Sequence, residues 1–288
     1  MKRLINRIVF IFLALAFAGT WNIGAFAKPP LWKLQDEDTT IYLLGTFHLL
    51  RKETVWYTHE IDDALKASDV LYLELSPKEL NSTEGFDYVL SRGFFPDGTY
   101  LTDFISDQEF YRLQELISEA GGTPFMVFRM KPMMASLVLS QSPLSKGYDR
   151  IYGVEEVLIG RAHKFGRPIK GMESLSVQLD ALFDYSIEFQ LKYLRAGING
   201  SRESSVNINT LSEAWVNGDL EKLNIGEDEF PEYQEKLLFE RNRSWVLKIK
   251  EMMREPGQIF IAVGAGHFVG QENVIELLEK EGFFPKRQ

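Results

Sequence analysis

Short apolar runs alternate with amphipathic stretches along most of the chain. Trp32–Leu34 and Thr40–Leu44 read as two strands around the turn Asp36-Glu37-Asp38. Val55–Ala67 carries Val55, Ile61, Ala64 and Leu65 at helical spacing, and Val70–Leu73 follows as a short buried strand. Strand, helix and strand within 35 residues is the length of one βαβ unit. The stretch from Pro77 to Ile151 reads as helix-rich, with an amphipathic helix at Asp107–Ala120 and a buried packing helix at Phe125–Leu139, which holds four of the eight methionines. Gly153–Phe165 predicts another helix, Ile169–Met172 a strand, and Ser174–Trp215 and Tyr233–Met253 further helical segments. Asn199–Ser205 and Gly226–Asp228 are polar breaks in that helical pattern. Gln258–Val263 closes the pattern as a buried strand, followed by a helix at Glu272–Glu281 that Gly282 stops. The fold class expected is α/β or α+β, a central mixed sheet flanked by helices and carrying a helical insertion.

The first 27 residues fall outside that pattern. Lys2, Arg3 and Arg7 precede the apolar run Ile8–Ala18, and Ala25-Phe26-Ala27 stands before Lys28. These are the three parts of a secretory signal, with cleavage expected after Ala27. The alternative is an uncleaved anchor. The expected organisation is a signal peptide at 1–27 and one domain at 28–288, in a periplasmic or secreted protein with no membrane span after cleavage.

Charge and composition narrow the chemistry. Thirty-two Lys plus Arg against 41 Asp plus Glu gives −9. Without the three basic residues of the signal the balance is 29 against 41, or −12. Nucleic acid is therefore not an expected partner, because phosphate binding needs clustered positive charge. A cationic or neutral substrate fits better than a polyanion. The chain has no cysteine, so thiol nucleophiles and thiolate metal sites are excluded, and a metal would have to be held by His, Asp or Glu.

Four strand ends carry the candidate chemistry. Two lead into matching Gly-x-x-His frames, Gly45 with His48 and Gly264 with His267, and two lead into Glu74 and Glu173. Ligands of open α/β sheets bind at the carboxyl ends of strands. Two imidazoles and two carboxylates suit a divalent metal that activates water, with hydrolysis as the reaction class. Which carboxylate ligates and which serves as base is left open. A helix starting just after Gly45 or Gly264 would keep the nearby imidazole neutral. His59 and His163 sit among charged helix neighbours and read as surface residues. No Gly-x-Ser-x-Gly elbow occurs, and Gly264–Gly270 departs from the dinucleotide fingerprint in its glycine spacing.

LWKLQDEDTTIYLLGTFHLL, VLYLEL, GVEEVLIGRAHKFGRPIKGMESLSVQL, ERNRSW and FIAVGAGHFVGQENVIELLEKEG resemble the TraB/GumN family, related to the Tiki metalloproteases and the erythromycin-esterase-like proteins. The resemblance runs through the mature chain in order. It implies paired Gly-x-x-His motifs meeting at one site, with His48, His267 and Glu74 as metal ligands and Glu74, Glu173, Arg241 and Asn242 as catalytic residues. It also implies manganese or cobalt rather than zinc. Arg241 and Asn242 lie in the Arg-Asn-x-x-Trp helix typical of the family. Where that family commonly has Asp before its middle helix, Glu155 stands here, and it is not counted as catalytic. The leading expectation is an exported metal-dependent peptidase acting on a peptide or small-molecule substrate. The rivals are a non-catalytic binder of haem, polysaccharide or peptide in the same cleft, and a metal-independent esterase using His48 and Glu74.

Overall fold

The computed structural model describes residues 28–80, 82–140, 147–200, 208–224 and 229–288. The signal segment and the polar break at Gly226–Asp228 lie outside the described residues, as does most of the break at Asn199–Ser205. The fold is α/β: one six-stranded mixed sheet surrounded by helices. Its strands are β1 (Leu31–Gln35), β2 (Thr39–Thr46), β3 (Val70–Leu73), β4 (Ile169–Gly171), β5 (Gly257–Gly264) and β6 (Lys286–Arg287), in the order β4-β3-β5-β2-β1-β6. The four strands β4, β3, β5 and β2 run parallel, and β1 pairs antiparallel with both β2 and β6.

The predicted strands are all present, but β2 and β3 are not neighbours. The last long strand, β5, lies between them and pairs in parallel with both. Alternation then sorts the side chains to two faces. Leu44, Leu71, Leu73, Phe260 and Ala262 face one core with Ile61, Leu65, Leu158 and Trp215. Ile41, Leu43, Ile261 and Val263 face the other with Trp245, Ile249 and Leu278.

Among the described residues the α-helices longer than four residues are α1 (His59–Ala67), α2 (Thr83–Gly93), α3 (Asp107–Glu119), α4 (Pro132–Leu139), α5 (Val154–Lys164), α6 (Leu175–Phe183), α7 (Ile187–Ile198), α8 (Ile208–Asn217), α9 (Glu240–Met252) and α10 (Val274–Lys280). α1 starts at His59 rather than Val55, because the Thr58 hydroxyl caps the Ile61 amide and Val55 is exposed. The single packing helix expected at Phe125–Leu139 is two pieces, a 3₁₀ segment at Pro124–Arg129 and α4. Lys131 precedes Pro132 and is extended, as a residue before proline prefers. Phe125 is 83% exposed, so this end of the stretch is not core. The helical region between β3 and β4 has its own apolar cluster around Leu101, Leu113, Ile117 and Val127. Among the described residues no helix is long and apolar enough to cross a membrane.

Candidate active site

Register alone brings the two Gly-x-x-His frames together. In the parallel pair β2·β5, Gly45 stands opposite Val263 and Thr46 opposite Gly264, so His48 and His267 leave adjacent strands at the same edge. Leu73 is opposite Ala262, which puts Glu74 at that edge too. The two motif glycines do different work. Gly45 is packed against Pro30 and Ala265, where a Cβ would stand 3.1 Å from the Pro30 ring and 3.2 Å from the Ala265 Cα. Gly264 leaves a cradle. A Cβ there would lie 3.1 Å from Glu74 Oε1 and 3.7 Å from both His48 Nε2 and the His267 ring.

Glu74 is the hub. Its Oε1 accepts the Gly264 N–H at 2.8 Å, and its Oε2 accepts from Gln178 at 2.8 Å and Arg241 Nη2 at 2.6 Å. Burial pushes its carboxyl up, but His267, which is protonated only at such low pH, together with Arg241, His48 and the Gly264 amide outweighs that and holds it at about 2. Glu74 is therefore a carboxylate at neutral pH.

Arg241 is buried, with 4% of its side chain exposed. It bridges Glu74 and Glu173, giving Nε to both Glu173 oxygens at 3.0 Å and Nη2 to Oε1 at 2.7 Å. Trp245 Nε1 donates to the other Glu173 oxygen at 3.1 Å. Both Glu173 oxygens are thus engaged. Burial raises its carboxyl despite Arg241. A π-helix at Glu235–Phe239 runs directly into α9, and Arg241 Nη1 donates back to the Leu237 carbonyl at 2.7 Å.

His267 sits in a 3₁₀ turn, Ala265–Phe268, that follows Gly264. Its Nδ1 lies 2.6 Å from Asn242 Oδ1, and Asn242 Nδ2 donates to the Glu272 carbonyl at 2.9 Å. Arg241 Nη1 stands 3.3 Å from Nε2. Guanidinium only donates, so Nε2 is the acceptor and Nδ1 carries the proton. Burial, with Arg241 and His48 adding to it, lowers His267 to about 3. It is neutral, as expected for a helical turn after glycine, but burial is the main cause.

His48 differs in exposure and in charge. No helix follows Gly45 directly, and the ring is 62% exposed. Glu155, on the first turn of α5, places Oε1 2.7 Å from His48 Nδ1 and also takes the Thr46 hydroxyl. The Glu155 charge raises His48 to about 9. Burial opposes ionisation of Glu155, but His48 and the Thr46 hydroxyl hold it below its ordinary value. Sequence reasoning left Glu155 out of the site. Its spacing from His48 carried no signal, and the pointer to it was its place before the middle helix, where the family it resembles commonly has Asp. His59 and His163 are surface residues, as expected.

The donor set named for a metal does not fit one in this arrangement. His267 Nε2 is turned to Arg241 Nη1 at 3.3 Å, and Glu74 Oε2 is taken by both Arg241 and Gln178. Among the described residues no three or more His, Asp or Glu side chains gather into a group able to hold an ion. A cavity of about 330 Å³ has Arg241 in its wall beside Asp180, Asp184, Lys236 and Glu240. A larger one, about 870 Å³ beside Trp56, Tyr57 and Arg161, touches none of the site residues.

The sequence model of the TraB/PrgY/gumN family matches residues 30–287. An "Uncharacterized protein" of Treponema pallidum is 22% identical over 269 residues, covering 86% of this chain and 80% of that protein. The "Uncharacterized protein YbaP" of Escherichia coli is 22% identical over 240 residues, covering 82% of this chain and 87% of its own length.

Proposed function

The chain belongs to the TraB/PrgY/gumN family, and from that premise we propose that it is an exported hydrolase that activates water between Glu74 and His48. The observation that carries this reading is the Gly264 cradle, where a pre-ionised carboxylate and a cationic imidazole face one small space. Two titratable groups pushed apart in this way divide into base and acid. Glu74 Oε1 takes a proton from water as the water oxygen attacks the substrate carbonyl carbon. His48 then gives its Nε2 proton to the leaving alkoxide or amine. Return of the Glu74 proton to His48 resets the site. Arg241, Glu173 and Gln178 fix the Glu74 carboxylate, and Asn242 fixes His267.

Substrates with an ester or peptide carbonyl suit this chemistry, and the acidic wall beside Arg241 favours a cationic or neutral one. The Ala25-Phe26-Ala27 signal supports export to the periplasm or exterior.

A second reading is a manganese- or cobalt-dependent peptidase. It is favoured by one observation: both histidines have Nδ1 held by an oxygen acceptor, which leaves Nε2 as the ligating atom, as in metal-binding histidines generally. It requires Arg241 to give up His267 Nε2. Turnover of an ester and peptide library by the protein starting at Lys28, with strong chelator and with added Mn²⁺ or Co²⁺, separates the two. Activity that survives chelation supports the first reading, and activity that appears only with metal supports the second. Tight binding of haem, glycan or peptide without turnover contradicts both and points to a binding protein.

A further inference from the structure

The contacts on the far side of His48 form a built support that the reaction described above does not use. The first turn of α5 is joined to the Thr46–His48 segment at four points. Glu155 reaches His48 Nδ1 at 2.7 Å and accepts from the Thr46 hydroxyl. The Val154 amide donates to the Phe47 carbonyl at 3.2 Å. Gly153, the N-cap of α5, lies so close to the His48 carbonyl that any Cβ would collide with it. A glycine is needed there because the backbones touch, not because the turn is strained.

A histidine's free nitrogen is defined by the partner of the other one. With 62% of its side chain in solvent, His48 has little packing to hold its ring, so the carboxylate behind it decides the orientation. We propose that Glu155 is the positioning residue of the site, locking the His48 ring with a proton on Nδ1 so that Nε2 faces the Gly264 cradle. Glu155 does not touch the cradle and acts only through His48. The catalytic consequence rests on the proposed hydrolase, whereas the positioning itself is measurable without turnover.

The test uses the mature protein with ¹⁵N-labelled histidine. His48→Gln identifies the His48 resonances by their loss. Wild type should show a protected, downfield Nδ1–H signal for His48, Glu155→Ala should lose it, and circular dichroism should be unchanged. Glu155→Gln, which keeps an oxygen acceptor, should retain a weakened signal. On a turned-over substrate, kcat should fall at least tenfold in Glu155→Ala with KM unchanged, and Glu155→Gln should recover part of it. An Nδ1–H signal unaltered in Glu155→Ala, or a change confined to KM, overturns the proposal. Where wild type turns over nothing, the hydrolase reading fails and the Nδ1–H signal alone decides the positioning role. If Glu155→Ala unfolds, the Glu155→Gln signal decides it, and a signal identical to wild type is the overturning result.

Discussion

Gly264 donates its backbone N–H to Glu74 Oε1 across 2.8 Å, tying the end of one strand to the carboxylate leaving its neighbour. That bond places the hub carboxylate against a residue with no side chain, and the open space is where the imidazoles converge.

Gly264→Ala should therefore damage activity far more than stability. The backbone there, φ −49° and ψ 135°, is one that alanine adopts without strain. Its methyl group would enter the cradle 3.1 Å from Glu74 Oε1. Displacements well under 1 Å can cost on the order of tenfold in rate. Steady-state kinetics should show a loss of at least that size, while thermal unfolding shifts by only a few degrees.

Arg241→Met should destabilise the fold. It leaves Glu74 and Glu173 as adjacent buried carboxylates without their shared cation. Breaking a buried ion pair from one side costs about 3–5 kcal/mol. Urea unfolding should read a loss in that range, and adding Glu173→Gln to Arg241→Met should recover part of it.

His267 gives stability a pH dependence of known sign. Its folded value of about 3 lies below its ordinary 6.5, so the unfolded chain binds the extra proton between those limits. Its contribution to stability is complete above pH 6.5 and is lost as pH falls towards 3. His267→Gln lacks this contribution. The stability gap between wild type and His267→Gln should narrow steadily from pH 7 to pH 4.5 in urea titrations, and a constant gap would mean that His267 is not buried neutral.

The rate profile should be broad. Glu74 must be ionised and His48 protonated, so activity should hold from mildly acidic pH and fall on the alkaline side as His48 loses its proton. The exposed ring is screened by solvent, which places the alkaline limb between His48's ordinary 6.5 and about 9.

Much of this was legible in the chain because it rests on local pattern. Val70–Leu73 was read with its boundaries, and Gln258–Val263 within one residue at either end, because both are short apolar runs between polar breaks. The matched Gly-x-x-His frames pointed to one site because both follow strands. What stayed hidden depends on chain returns across long separations. Nothing local says that β5 inserts between β2 and β3. Arg241 follows a π-helical stretch, and α9 carries enough charge to pass for a surface helix, yet its guanidinium is buried between two carboxylates. Glu155 reaches His48 only because Gly153 lets two backbones touch. At Met130-Lys131-Pro132 the apolar pattern overrode the proline rule, and the single helix expected there is broken.

The most direct test of the central claim is the kcat of Glu74→Gln against wild type, on whichever ester or peptide the wild-type protein turns over, with chelator present. Gln keeps the shape and the acceptor oxygen facing the Gly264 N–H but cannot take a proton, and because its NH2 replaces the acceptor of Arg241 and Gln178, urea unfolding is read alongside to separate a lost base from a loosened fold. General base catalysis contributes on the order of 10²–10⁴-fold, so kcat should fall at least about a hundredfold with the fold intact. A Glu74→Gln protein that turns over substrate within a few-fold of wild type would contradict the account.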